Sequence, residues 1–250
     1  MAVVTTHQFG VDKSIERDRA YRFLNPGNDV PWESLMDAMV TESVNITTSE
    51  QSDVTRDEDG ENIPSSVAKF GKREEVQITL KSNKTTAYAA QTSNFSLTGA
   101  YDRAVTNITI NTSKGAKSTM SITAHKHLDC STRTHTLKGG GRATEIPTFP
   151  GFGAGTFGLE LGVPASSLQT ATYSIEFDHT DDDAADGSFL CGITHGETHT
   201  ATLEAIDETD WTVPQGWHEE SQGDNEASTA HRRRTLTIKK YVPFVDLDDE

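Results

Sequence analysis

Cysteine is scarce. Cys130 and Cys191 are the two thiols in 250 residues. So few exclude a disulfide-stapled framework or a multi-cysteine zinc module. The expectation is two free, buried thiols, with a Cys130–Cys191 bridge left open as the alternative. Long apolar runs are missing too. Nothing approaches the ~18 residues of a membrane-spanning helix. The opening MAVVTTHQFG has neither the basic start nor the apolar stretch of a secretory signal, so a soluble chain made in the cytoplasm is expected. Hydrophobic residues are only 34%, which points to a thin, divided core. Positive charge is in short supply, with 22 Lys and Arg against 38 Asp and Glu and a net charge of −16. Such a surface repels nucleic acid away from local basic patches, and it suits high salt, where screening relieves self-repulsion.

What the chain has is threonine, 34 of them, and short runs that alternate apolar with polar residues. Both favour strands. Residues 74–81 put Val76, Ile78 and Leu80 on one face and Glu75, Gln77, Thr79 and Lys81 on the other. The same period recurs at 43–48, 105–111, 119–125, 171–178 and 235–242, with further strands expected at 188–193 and 197–206 and a short one at 94–98. Segments 105–111 and 119–125 read as a hairpin with Lys114 and Lys117 at its tip. Helix is confined to one or two short turns, one within 11–23 and one from Pro31 to Met39. The fold class is therefore all-β, a sandwich or barrel with long charged loops. Val76, Ile78, Leu80, Ile108, Ile110, Met120, Ile122, Tyr173, Ile175, Phe177, Leu236 and Ile238 are its inward residues.

Composition divides the chain into four parts. Residues 1–31 form an N-terminal arm and 32–137 a first β module. Residues 138–164 are rich in Gly and Pro and serve as a linker or inter-subunit loop; Phe149, Phe152 and Phe157 favour the loop, because a solvated linker has no use for them. Residues 165–250 are a second β module or a continuation of the first. Residues 207–230 read as loop, anchored by Trp211 and Trp217. An acidic loop, a basic knot and an alternating strand occur at 58–80 and again at 219–240, an echo that two related modules and chance similarity among charged loops explain equally well.

Few residues are arranged for chemistry. Asp57, Glu58 and Asp59, with Gly60 and Glu61, lack the ligand spacing of a calcium loop and read as a solvated turn. Asp181, Asp182, Asp183 and Asp186 are dense enough in carboxylates to collect a divalent cation, but read more simply as a solvated acidic tip. On a strand, His195, Glu197 and His199 share a face and are the candidates for a metal, and His125 and His127 are a second same-face pair that needs a further convergent ligand. Exposed strand histidines are the simpler reading of both, so no metal and no cofactor is expected. No nucleophile elbow, reactive thiol motif or phosphate-cradling glycine loop is present, and no enzymatic activity is expected. Two basic knots, Lys69, Lys72 and Arg73, and Arg232, Arg233 and Arg234, lie close to acidic segments. Salt bridges between subunits suit them better than nucleic acid does.

The segment SVNITTSEQSDVTRDEDGENIPSSVAKFGKREEVQITLKS, a strand, a long charged loop and an amphipathic strand after a short arm, resembles the opening hairpin of tail tube proteins of tailed viruses. The resemblance covers residues 40–125. It implies a virion subunit whose sheets pair into rings that stack into a tube, with an acidic lumen through which genomic DNA passes without specific binding. Its partners would be further copies of itself and other virion tail proteins. Contact between subunits would then involve Asp57, Glu58, Asp59, Lys72, Arg73, Arg232, Arg233, Arg234, Phe149, Phe152 and Phe157. The alternative is a capsid-decorating or carbohydrate-binding β module using Trp211, Trp217 and Phe152, or another tail or baseplate component. Either way the expected location is the virion, after synthesis in the host cytoplasm.

Overall fold

The computed structural model describes residues 3–7, 39–56, 58–59, 62–82, 94–96, 104–114, 116–128, 135–137, 143–145, 161, 167–185, 188–206, 211–225 and 232–244. Within them the protein is all-β, with no α-helix. The expected helical turns at 11–23 and 31–39, apart from Met39 itself, lie outside the described residues, as do Phe149, Phe152, Phe157 and Asp57.

Among the described residues twelve strands form: β1 (Val3–His7), β2 (Met39–Arg56), β3 (Asn62–Ser82), β4 (Asn94–Ser96), β5 (Ala104–Ser113), β6 (Thr119–His127), β7 (His135–Leu137), β8 (Ala143–Glu145), β9 (Leu168–Asp183), β10 (Phe189–Ile206), β11 (His218–Asn225) and β12 (Arg233–Pro243). Ten belong to one sheet, ordered β1-β2-β3-β6-β5-β9-β10-β12-β11, with β7 joined to β10 off this path; β4 and β8 make a separate pair. Every pairing is antiparallel except β7 with β10.

The alternation read in the sequence is the alternation of burial. All twelve residues expected inward are buried, none more than 5% exposed. The register explains how they form one core. Ile122 lies opposite both Ile78 and Ile108, and Ile108 lies opposite Ile175. A line of β-branched side chains thus crosses four strands on one face, where such residues pack best. Leu203 and Leu236, opposite each other on β10 and β12, belong to the same cluster. Because β5 pairs with β9, residues 104–113 and 168–183 share one sheet and one hydrophobic cluster.

Several strands outrun the sequence reading. β3 begins at Asn62, so the knot Lys69, Lys72 and Arg73 lies within a strand. β9 continues to Asp183, so Asp181–Asp183 are strand; Asp182 and Asp183 are exposed, and only Asp181 is partly buried. β11 occupies part of the expected loop 207–230, since Gln222 and its neighbours pair with β12 despite having no apolar alternation. Backbone hydrogen bonds to an existing edge hold such a polar strand, and composition carries no signal for them. Cys191 is a free thiol but is only half-buried, next to Asp182; Cys130 lies outside the described residues.

β2 and β3 are the longest hairpin. β3 pairs with β6 only as far as Arg73↔His127, with Leu128 N–H donating to Lys72 O at 2.8 Å. β1 accompanies β2 only to Thr48. Beyond that, Gln51↔Phe70 through Arg56↔Asn62, the two strands pair only with each other among the described residues. At the base of this arm the register shifts between Ser49 and Gln51, opposite Gly71 at φ 62°. A left-handed glycine at a bulge bends the ribbon.

Candidate functional site

The most unusual side-chain arrangement lies where β6, β7, β9 and β10 meet. β5 and β9 stop pairing at Asn107↔Glu176. Past that point the ends of β6 and β9 carry two i, i+2 pairs, His125 with His127 and His179 with Asp181. β9 runs along one edge of β10. The other edge is shared: β12 takes it from Gly196 onward and β7 takes it at Gly192–Thr194. The parallel register Gly192↔His135 sets a fourth imidazole beside the others.

All four rings converge on one carboxylate. The Nε2 atoms of His125 and His127 are each 3.0 Å from Asp181 Oδ2. His179 Nε2 is 2.8 Å from Oδ1, and His135 Nδ1 is 3.7 Å from the same oxygen. His179 Nδ1 is 2.8 Å from Thr194 Oγ1. The His125 and His135 side chains are 2% and 1% exposed and the Asp181 side chain 20%. Phe189, itself buried, stacks on His127 with ring centres 4.0 Å apart and closes the pocket on that side. Residue 192 has to be glycine here: a Cβ would overlap His135 Nδ1 and lie 2.9 Å from Asp181 Oδ1.

The electrostatics follow from burial and crowding. Burial, then the nearby imidazoles of His125 and His179, push the His135 pKa down to about 3. Burial likewise lowers His125, against the opposing hydrogen bond to Asp181. For Asp181, burial opposes ionisation, but hydrogen bonds from His125, His179 and His127 outweigh it and hold the carboxyl far below the usual range. At neutral pH the site is thus a carboxylate ringed by imidazoles, with His125 and His135 neutral. Among the described residues Nδ1 of His125 and His127 and both ring nitrogens of His135 are buried without a hydrogen-bond partner. His125, His135, His179 and Asp181 are the described residues whose donor atoms gather as a metal-ligand set, all within 4.8 Å of one another.

The other expected trio is only partly assembled. His199 Nε2 is 3.0 Å from Glu197 Oε1, and its Nδ1 is 2.7 Å from Tyr173 Oη, so both nitrogens are engaged. The register shift between Thr194 and Gly196 falls at His195 and rephases the strand: Gly192 and Thr194 are buried before it, Glu197 and His199 after it. His195 is therefore out of step with the pair. Trp217 packs on this group, 6.0 Å from Tyr173 and 6.4 Å from His199 between ring centres.

The charged candidates are spread out. Arg232 and Arg234 both bond Asp224, and Arg233 bonds Glu204, all within the chain and all partly solvent-exposed. Glu58 and Asp59 sit at the tip of the β2–β3 arm, and Lys72 and Arg73 at its base. Sequence reasoning noticed His125 and His127, took Asp181 for part of a solvated tip, and missed His135 and His179. The signal available was a pair of alternate-residue motifs, His-x-His and His-x-Asp, at two strand ends. No protein-family model and no curated protein matches the sequence.

Proposed function

We propose that this chain is a virion structural subunit of the tail-tube kind, a non-catalytic protein that assembles with copies of itself through sheet edges and the β2–β3 arm. The observation that carries the reading is the arm. Its β3 side, from Asn62 to Gly71, spans roughly 30 Å at about 3.4 Å per residue. It has two unpaired edges among the described residues. A two-stranded ribbon is marginal alone in water, and unpaired edges are templates for further strands. A neighbouring subunit supplies what the arm lacks. Glu58 and Asp59 at the tip, and Lys72 and Arg73 at the base, offer opposite charges at opposite ends, which suits head-to-tail stacking of like subunits. The net charge of −16 suits a lumen that DNA passes without sticking. The decorating or carbohydrate-binding alternative has less in its favour, because Trp211 and Trp217 are packed against the core.

The test is to replace residues 52–68 by a two-residue turn and compare sedimentation with the full chain. The full chain is expected to form large species and the shortened one to remain a folded small species. Equal assembly by both would overturn the role of the arm.

A further inference from the structure

We propose that His125, His135, His179 and Asp181 bind one divalent transition-metal ion of the zinc class, tying β6, β7 and β9 together. Four lines of geometry converge on it. First, three imidazole nitrogens and a carboxylate oxygen already face one point within 4.8 Å of each other. That nitrogen-rich donor set suits zinc, cobalt or nickel and not calcium or magnesium, which take oxygen shells. Second, the imidazoles are brought in from three separate strands, two by alternation and one by the parallel register of β7. Third, His135 is 1% exposed with neither nitrogen bonded among the described residues, while its Nδ1 points toward Asp181. Buried nitrogens left unpaired are destabilising; a metal at the centre engages Nδ1. Fourth, Gly192 lacks the Cβ that would collide with His135 Nδ1 and crowd Asp181 Oδ1, so both ligand atoms can sit close against β10.

Thr194 supplies the outer contact that metal-binding histidines require. When His179 donates from Nδ1 to the Thr194 hydroxyl, its Nε2 carries a lone pair directed at the centre. Without a cation Nε2 instead carries the proton and donates it to Asp181 Oδ1 at 2.8 Å, so a bound metal takes the place of that proton. His127, stacked on Phe189, lies beside the set and holds Asp181 Oδ2. With four protein ligands and little solvent access the site is of the closed, structural type.

The experiment uses the full chain, stripped with chelator and titrated with cobalt(II), then zinc(II). One cobalt per chain is expected, with visible absorption bands of a four- or five-coordinate site and no thiolate charge-transfer band. One equivalent of zinc should displace it and raise the melting temperature reversibly. His179→Gln and Asp181→Asn should each weaken binding by about 100-fold or more, beyond the ~10–100-fold typical of outer-contact losses, while His195→Ala leaves it unchanged. The proposal is overturned if folded wild-type chain retains no cobalt at equimolar micromolar concentrations. It is equally overturned if a thiolate band marks Cys191 as the ligand, or if both folded variants bind like wild type. The wild-type titration decides the matter even where a variant does not fold.

Discussion

Gly192→Ala probes the packing of the histidine cluster with a single methyl group. The added Cβ would overlap His135 Nδ1, lie 2.9 Å from Asp181 Oδ1 and 3.0 Å from His135 Cε1. Relaxed contacts between such atoms are about 3.5–4.0 Å, so His135 has to retreat by roughly 1 Å. It cannot do so freely. β7 is three residues long, pinned to Gly192–Thr194 by its register, and the ring is enclosed by His125, His179 and Phe189 at centre distances of 5.0–5.2 Å. Overpacking of this kind costs about 1–3 kcal/mol. Gly223→Ala is the control, because nothing lies within 4 Å of its Cβ position; its cost should stay within about 0.5 kcal/mol. Urea denaturation with chelator present reads both, as a lower midpoint at unchanged slope for Gly192→Ala only. If the two variants unfold alike, Gly192 is not holding space for the cluster and the geometry around His135 is wrong.

Acid should destabilise the metal-free protein earlier than ordinary carboxylate titration does. His135 takes a proton at 6.5 when unfolded and at about 3 when folded, so its contribution is fully present above pH 6.5 and is lost as pH falls toward 3. The ceiling is about 4–5 kcal/mol, and lowered His125 and Asp181 act in the same direction; a flat urea midpoint from pH 7 to 4 would contradict this. Tyr173→Phe removes the hydroxyl 2.7 Å from His199 Nδ1 and leaves that buried nitrogen unpaired, costing about 1–3 kcal/mol. Calorimetry should show the lower melting temperature, and no change would mean that a neighbouring group takes over the bond.

The core was legible because burial on a half-exposed sheet writes a period of two into the sequence. Ile122, Ile108 and Ile175 announced both their strands and their inward face. The strand ends were not legible. β11 and the outer part of β3 are held by backbone pairing, which leaves no side-chain period, as Gln222 and Lys69 illustrate. The site was half visible for the same reason. His125 and His127 were seen to share a face, but Asp181 looked like one of a run of solvated aspartates, because only the register of β9 on β10 turns it toward the histidines. His195 was misjudged through a bulge, which shifts the phase of a strand without any fixed residue signature.

The assembly claim meets its most direct test in negative-stain electron microscopy of the purified full chain. Rings, or tubes of stacked rings, are the predicted result. Isolated particles of single-chain size across protein and salt concentrations would contradict it and leave the β2–β3 arm without the partner it is proposed to meet.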